Sequence, residues 1–582
     1  MAIEQLPVFC FYDQQRFKQF GSQDAANWYP IQAPTGKQKQ ALYPAMGRKH
    51  INFLGLNQLI FPSEPRDIFK TIDFMYVVVG TLVIQFDKNF NQKTIGDNIS
   101  LTGELWFDFL AVGTLVYAML TDGTNIHLIT EDNGTVSMAN VTDGNRPPKP
   151  VYVAAFGNRF VVSSENSNVF YLSTINVDGG ISACFTINNS PLFASATGVI
   201  RQFGVLHGQL YIFNDYTTDV WANIQTQITV GGVTREFPWK LNTSYNYDYG
   251  MADPLSLSID FGRMVWLARS KGGLVSYMVT SGQAPEDMDT QAINVLLEKT
   301  SSVDELNPFL SGNSDGFLYQ WENTIFYRSL AGKYLDYSVL DIDNSAHAIE
   351  YNFDTKTWAR VIELNGERNR IQKHVYFSNR HIVAVEEDFA LYEMAGDVYY
   401  NELLNPNRES DQSSDAFNAF PMRYELVTQQ IYQSDYSEFI DDYVEIDFVF
   451  GYQTPYRSDA PFDNTTFIMD ESSTDENPVY LITEDGSYII DEIGNTPTFF
   501  DNHYNALFKP HIELYYSDDG GITFITADNR EFSPLGQYQW RMRWYELGIS
   551  RNRCYRLICV SPSPIVILGG VRNTRRASGG AN

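Results

Sequence analysis

Seven short apolar hairpins, each turned by a glycine or an asparagine, constrain this chain more than any other feature. An apolar triplet, a Gly or Asn, a second apolar triplet and a polar turn recur between about residues 70 and 400. The copies are "YVVVGTLVIQF" at Gly80, "FLAVGTLVYAM" at Gly113, "AAFGNRFVVSS" at Gly157, "VLHGQLYIFND" at Gly208 and "IDFGRMVWLAR" at Gly262. Weaker copies are "QWENTIFYRS" at Asn323 and "YFSNRHIVAV" at Asn379. Gly and Asn accept the positive φ of a two-residue hairpin turn. The β-branched and aromatic flanks suit strands buried between neighbouring sheets. One such hairpin cannot cover its own faces, so each copy needs the next. The copies lie 33 to 61 residues apart, and periods of about 40–50 residues with four short strands per unit read as propeller blades. A sandwich of unrelated hairpins is the alternative.

The expected fold is therefore all-β: a propeller of six or seven blades over residues 51–400, with an appended β-sandwich-like domain and few short helices. Residues 1–50 read as an N-terminal arm and 401–570 as the appended domain. The segments "FIMDESS", "LITEDGS" and "YIIDEIG" read as an acidic hairpin insertion near 465–500, and 571–582 as a basic flexible tail. One helical interruption, "AINVLLEKTSSVDELNPFL", places Ile293, Leu296 and Leu297 at helical spacing, and Ser302 with Glu305 forms a capping-box pattern for a second short helix.

Charge excludes a nucleic-acid-coating role. The net charge is −29, which repels phosphate. Its distribution is uneven: residues 434–501 hold seventeen acids against Arg457, whereas 541–582 hold eight arginines against Glu546. Four cysteines in 582 residues make no disulfide framework. The opening "MAIEQLPVFC" lacks the charge and apolar run of a signal peptide. The longest apolar stretch, "FMYVVVGTLVIQF", is too short and too β-branched for a membrane span. The expectation is a protein assembled in a reducing cytoplasm, with no membrane partner.

"YYSDDGGITF", residues 515–524, raises the question of catalysis. Ser517, Asp519, Gly521 and Thr523 fit the Asp-box hairpin that recurs in sialidase propellers. In that motif the Asp and Thr tie down a turn and lie away from the reacting sugar. The chain carries one box near its C-terminus, and "FYRSL" (326–330) lacks the Ile-Pro of the sialidase arginine motif. Glycoside hydrolysis otherwise needs a carboxylate pair, which seventy acids neither exclude nor locate. No H-E-x-x-H zinc motif, G-x-S-x-G elbow or P-loop is present. A calcium loop of D-x-D-x-D type is absent too. His127 and His207 read as core or rim groups. No residue is assigned a catalytic, cofactor or metal role, and the chain is expected not to be an enzyme.

The two ends of the chain carry a resemblance. "MAIEQLPVF" is similar to the start of the packaged-DNA stabilisation proteins, or tail hubs, of short-tailed phages. Residues 517–570 resemble that family's C-terminal pattern through Ser517, Asp519, Gly520, Gly521, Phe524, Arg541, Trp544, Leu547, Gly548, Arg551, Arg556, Leu557, Ser561, Pro564, Val566 and Gly569. "INVLLEKTSSVDEL" is also similar to a family segment, whereas 400–510 and the tail "VRNTRRASGGAN" depart from the pattern. The resemblance implies a structural virion protein: a ring of six copies below the portal adaptor that extends the channel and retains packaged double-stranded DNA without reading its sequence. The portal adaptor and a tail needle, fibre or tailspike would be its partners. A carbohydrate-binding or glycan-hydrolysing propeller is the alternative.

The Arg-rich end is where charge and resemblance meet. Strand alternation puts Arg541 and Arg543 on one face and Trp540 and Trp544 on the other. That pattern suits a half-buried strand with a charged outer surface better than a nucleic-acid stacking platform. Arg541, Arg543, Arg551, Arg553 and Arg556 are the expected subunit or adaptor interface.

Overall fold

The computed structural model describes residues 2–18, 21–32, 40–51, 60–101, 103–185, 193–230, 233–242, 246–301, 315–331, 347–404, 417–450, 479–480, 498–499, 511–531 and 539–577. Strand makes up 61% and helix 3% of the described residues, so the layers must cover one another with sheet.

Seven antiparallel sheets form the propeller. Blades one to four are consecutive: Pro65–Lys70 to Gln92–Gly96, Trp106–Val112 to Thr135–Asn140, Pro150–Phe156 to Phe193–Ser195, and Ile200–Leu206 to Lys240–Leu241. Blade five is built on Arg263–Ser270 and Val275–Thr280, and blade six runs from Gly316–Trp321 to Thr357–Val361. Blade seven takes Ile371–Phe377, Arg380–Val385 and Leu391–Ala395, and its outer strand comes from far upstream: Gly47–His50 pairs with Leu391–Ala395. The inner strand of blade seven packs on that of blade one and closes the ring.

Mutual burial explains why the repeat is so apolar. Tyr76 and Val78 of blade one share a cluster with Ala118 and Ile129 of blade two. Val77 and Phe86, on the opposite face of blade one, pack with Val375 and Ile382 of blade seven. A middle strand covered on both faces loses the in-out alternation of a surface sheet, and every residue of Met75–Val79 is buried.

The turns carry the expected left-handed residues: Gly157 with Asn158, His207 with Gly208, and Ser378 with Asn379 all have positive φ. In the sixth copy the left-handed residue is Glu322, one before Asn323. Six of the seven hairpins join the first and second strands of a blade. Gly80 instead joins Met75–Val79 to Leu82–Phe86, the second and third strands of blade one. That one-strand offset explains the short 33-residue interval to Gly113.

The helix Gln291–Ser301 buries Ala292, Ile293, Leu296 and Leu297 against Tyr277, Leu318 and Tyr327 of blades five and six. Thr290 Oγ1 caps it by accepting from the Ile293 amide at 3.3 Å. The capping-box pattern at Ser302 lies outside the described residues.

The appended domain is a two-sheet sandwich. One sheet runs Trp28–Gln32, Gln40–Pro44, Ile565–Arg576, Phe439–Phe450, Gln539–Tyr545, with Ala2–Gln5 beside Ile565–Arg576. The other joins Ser22–Ala26, Phe417–Val427, Asn552–Ser561, His511–Ser517 and Ile525–Glu531. Trp28, Phe448, Trp544 and Ile567 from the first face Tyr424, Leu426, Leu514 and Leu557 from the second across one core.

Two expectations about the ends are corrected. Residues 1–50 are no separate arm: they supply strands to both sandwich sheets and the closing strand of blade seven. The tail expected from residue 571 is a strand as far as Arg576, paired with Ala2–Gln5 and Phe439–Phe450. Of the acidic insertion, the described residues show Val479–Tyr480 paired with Thr498–Phe499; the rest lies outside them. All four cysteines are free and buried. No helix among the described residues is long and apolar enough to cross a membrane.

Candidate functional site

The Asp box turns a corner of the sandwich. Asp519 Oδ1 accepts from Ser517 Oγ at 2.6 Å and from the Ile522 amide at 3.0 Å; Oδ2 accepts from the Thr523 amide at 3.0 Å and from Thr523 Oγ1. Desolvation opposes the charge, but the donors from Ser517, Thr523 and Ile522 together outweigh it and hold the carboxyl well below the usual range. Gly521 sits at φ +90, and a Cβ there would come within 2.7 Å of Ser22 Cβ. Asp519→Ala is expected to cost about 0.5–2 kcal/mol, as for loss of a capping side chain. Chemical denaturation measures it, and an unchanged midpoint would refute a structural role.

The five arginines expected to form one interface divide into four groups. Arg541 and Arg543 lie on the outer face of the sandwich, with Met542 and Trp544 buried beneath them. Arg543 Nε donates to Glu445 at 2.7 Å, while Arg541 stands 3.7 Å from Asp447. Arg551 is an exposed partner of Glu438 at 3.1 Å. Arg553 is buried: it donates to both Asp518 oxygens, at 2.7 and 3.0 Å, and to the Leu547 carbonyl at 2.6 Å. It ties the Asp-box turn to the Leu547–Gly548 turn. Arg556 belongs to the seam between the two bodies.

Sequence reasoning missed that seam. Glu425 in Phe417–Val427 accepts from Arg423 at 2.8 Å and Arg556 at 3.1 Å, and lies 3.5 Å from Arg360 of blade six. Arg360 Nε also donates to Asp24 at 2.9 Å. Burial disfavours the Glu425 carboxylate, but Arg556, Arg360 and Arg423 together hold its pKa below the ordinary value. A second set lies at blade seven. Arg48 Nη1 donates to Glu363 at 2.6 Å and its Nε to the Glu402 carbonyl at 3.0 Å. Asn369 and Asn401 each donate to Glu363 at 3.0 Å. Tyr400–Leu404 pairs with Phe417–Val427 and touches Gly47–His50, so hydrogen-bonded sheet runs from blade seven into the sandwich. Two acids and an arginine far apart in sequence give no local signal for such a seam.

Charged groups also gather around the starts of the inner strands. Asp67 of blade one, Glu104 ahead of blade two, Asp315 ahead of blade six and Lys373 of blade seven are within electrostatic reach of one another. Lys373 donates to Asp315. Nearby, Trp106 and Tyr152 meet edge to face at 5.0 Å. Burial pushes the Asp67 carboxyl up to about 7, against the pull of Lys373 and the Ile68 amide. Burial likewise raises Asp108 to about 6 although the Ala155 and Phe109 amides donate to it.

A carboxyl with a raised folded pKa holds its proton longer in the native state. Stability from Asp67 is thus fully present below about pH 4 and lost as the pH rises through 7. The melting temperature should fall between pH 5 and 8 by less in Asp67→Asn than in the parent. Parallel pH profiles would count against the burial. A charged third residue in an apolar strand ("PRDIFK", "IQKHVYF") is the signal that could have located this cluster.

No family model matches the chain, and no curated protein sequence matches it. Among solved structures it is similar to the WD40 domain of Neurospora crassa Pan2, at 8% identity over 63% of this chain and 96% of that one, TM-score 0.36. It is similar to BamB from Moraxella catarrhalis, at 10% identity over 60% and 96%, TM-score 0.30. A third is an ancestral GH74 enzyme, at 11% identity over 63% and 56%, TM-score 0.35. Such identities concern the fold alone, and the blade count rests on the strand pairing in this chain. The chain is an all-β protein, a seven-bladed propeller locked to a β-sandwich.

Proposed function

We propose that this chain is a structural subunit of a short-tailed phage virion, a tail hub or nozzle that forms a ring of six copies under the portal adaptor. It extends the DNA channel, retains the packaged duplex and anchors a needle, fibre or tailspike. Its place of action is the virion tail after assembly in the host cytoplasm, and it carries out no catalysis. The observation that carries this reading is the seam. Trp544, Leu547 and Leu557, three of the residues bearing the resemblance, are core of the sandwich, and the sandwich joins blades six and seven through shared sheet and buried ion pairs. Shared sheet and ion pairs couple the two bodies, which suits a part that holds DNA under pressure. The charge of −29 suits a channel wall from which phosphate must slide. Electron micrographs of the purified protein test the reading. Rings of uniform copy number are expected, and single particles at every concentration would overturn it.

A second reading is favoured by one observation. Asp67 and Asp108, raised towards neutrality by burial, and the Trp106–Tyr152 pair are the kind of groups a glycan site uses. Sugar release from host surface polysaccharide, abolished in Asp67→Asn, would establish it.

A further inference from the structure

We propose that the outer face of the sandwich docks on the propeller of a neighbouring copy, head to tail, an inference that rests on the ring reading above. A solvated sheet face is expected to be polar along its outward positions, and this one sets large exposed apolar side chains among its arginines and carboxylates. Strand register lays Ile3, Tyr443 and Tyr545 in a row: Ile3 lies opposite Asn573, Asn573 opposite Tyr443, and Tyr443 opposite Tyr545. Ile549 lies in the neighbouring row, opposite Ile440. Ile3, Tyr545 and Ile549 are 71%, 58% and 56% exposed. Tyrosine and isoleucine with an arginine rim is the composition of an interface centre.

Charge names the occupant. On this face each guanidinium lies above the carboxylate that it pairs with. Arg541 is 63% exposed over Glu445 and Asp447 at 11% and 16%, and Arg575 is 55% exposed over Asp442 at 25%. The Arg543 guanidinium sits 4.3 Å over the Tyr443 ring. The outermost layer is therefore cationic, although the pairs are neutral in sum. Residues 51–404 hold forty acids and twenty-two bases, a net of −18, so the propeller is the complementary surface. Two such faces repel each other, which disfavours a face-to-face dimer, whereas face to propeller is a heterologous contact of the kind that closes rings.

The test uses the full chain and light scattering at low and high salt. Tyr545→Glu with Ile549→Glu, both at exposed positions, should raise the concentration needed for assembly by at least about tenfold, with circular dichroism and melting temperature unchanged. Arg541→Glu with Arg575→Glu should weaken assembly most at low salt. If the parent forms rings and both variants do so equally, the face is wrong and the ring reading stands. If the parent is a single chain at all concentrations, both fall. Retention of duplex DNA by the parent, lost in the arginine variant, would overturn the proposal in favour of a nucleic-acid surface.

Discussion

Glu363→Ala is expected to destabilise the protein by about 3–5 kcal/mol, because it strands a buried guanidinium. Arg48 is fully buried, and both its terminal nitrogens point at Glu363, at 2.6 and 3.3 Å. The same carboxylate accepts from Asn369 and Asn401, so its loss also leaves two buried amides short of an acceptor. Arg48 sits in the strand that closes blade seven, and Asn401 in the strand that leads to the sandwich. The damage should therefore reach both bodies, and their unfolding should remain a single transition. Glu363→Leu with Arg48→Met should recover much of the loss, since an apolar pair carries no desolvation cost. Urea unfolding decides it, and a loss under about 1 kcal/mol would mean that the guanidinium finds water.

Trp28→Ala should cost a similar amount, about 3–5 kcal/mol, by opening a cavity in the sandwich core. Trp28 is fully buried, its indole stacks on Tyr424 at 5.2 Å between centroids, and its Nε1 donates to the Ile565 carbonyl at 2.8 Å. Trp28→Phe keeps most of the ring contact and leaves that carbonyl unpaired, so it should lose less, about 1–3 kcal/mol. The neighbouring Asn27 turns at φ +56 and donates to the carbonyls of Ile362 and Arg423. A variant at Trp28 thereby loosens the link to blade six as well. Equal midpoints for parent and Trp28→Ala would show that the N-terminal strands are dispensable.

The hairpin repeat was legible because its cause is local. A two-residue turn needs left-handed residues, and a strand buried on both faces needs apolar ones at every position, so "AAFGNRFVVSS" announces a middle-blade hairpin without reference to the rest of the chain. Phase was less legible. Gly80 satisfies the same rule one strand later than its six counterparts, and nothing in an eleven-residue window reports which edge of a blade it faces. The Asp box was legible for the same local reason, since Ser517, Asp519 and Thr523 bond within seven residues.

The arginines mark the limit. Alternation correctly put Arg541 and Arg543 outward and Trp544 inward, because pleating alone sets that choice. It could not separate Arg553 from Arg551, which also alternate, since the difference is Asp518 waiting on a neighbouring turn. Nor could it find Arg556, Arg360, Asp24 and Glu425, whose pairs lie 65, 131 and 336 residues apart in the chain.

The sequence by itself determined the class of structure, the propeller, the turn chemistry and the outward face of the Gln539–Tyr545 strand. Those follow from backbone sterics and from burial repeated at short range. Only the tertiary structure decided that there are seven blades, that Gly47–His50 closes the last of them, and that the first fifty residues hold propeller and sandwich together. Ring closure and buried ion pairs join segments whose separation in sequence carries no periodicity, so their energy becomes visible once the chain has brought them into contact.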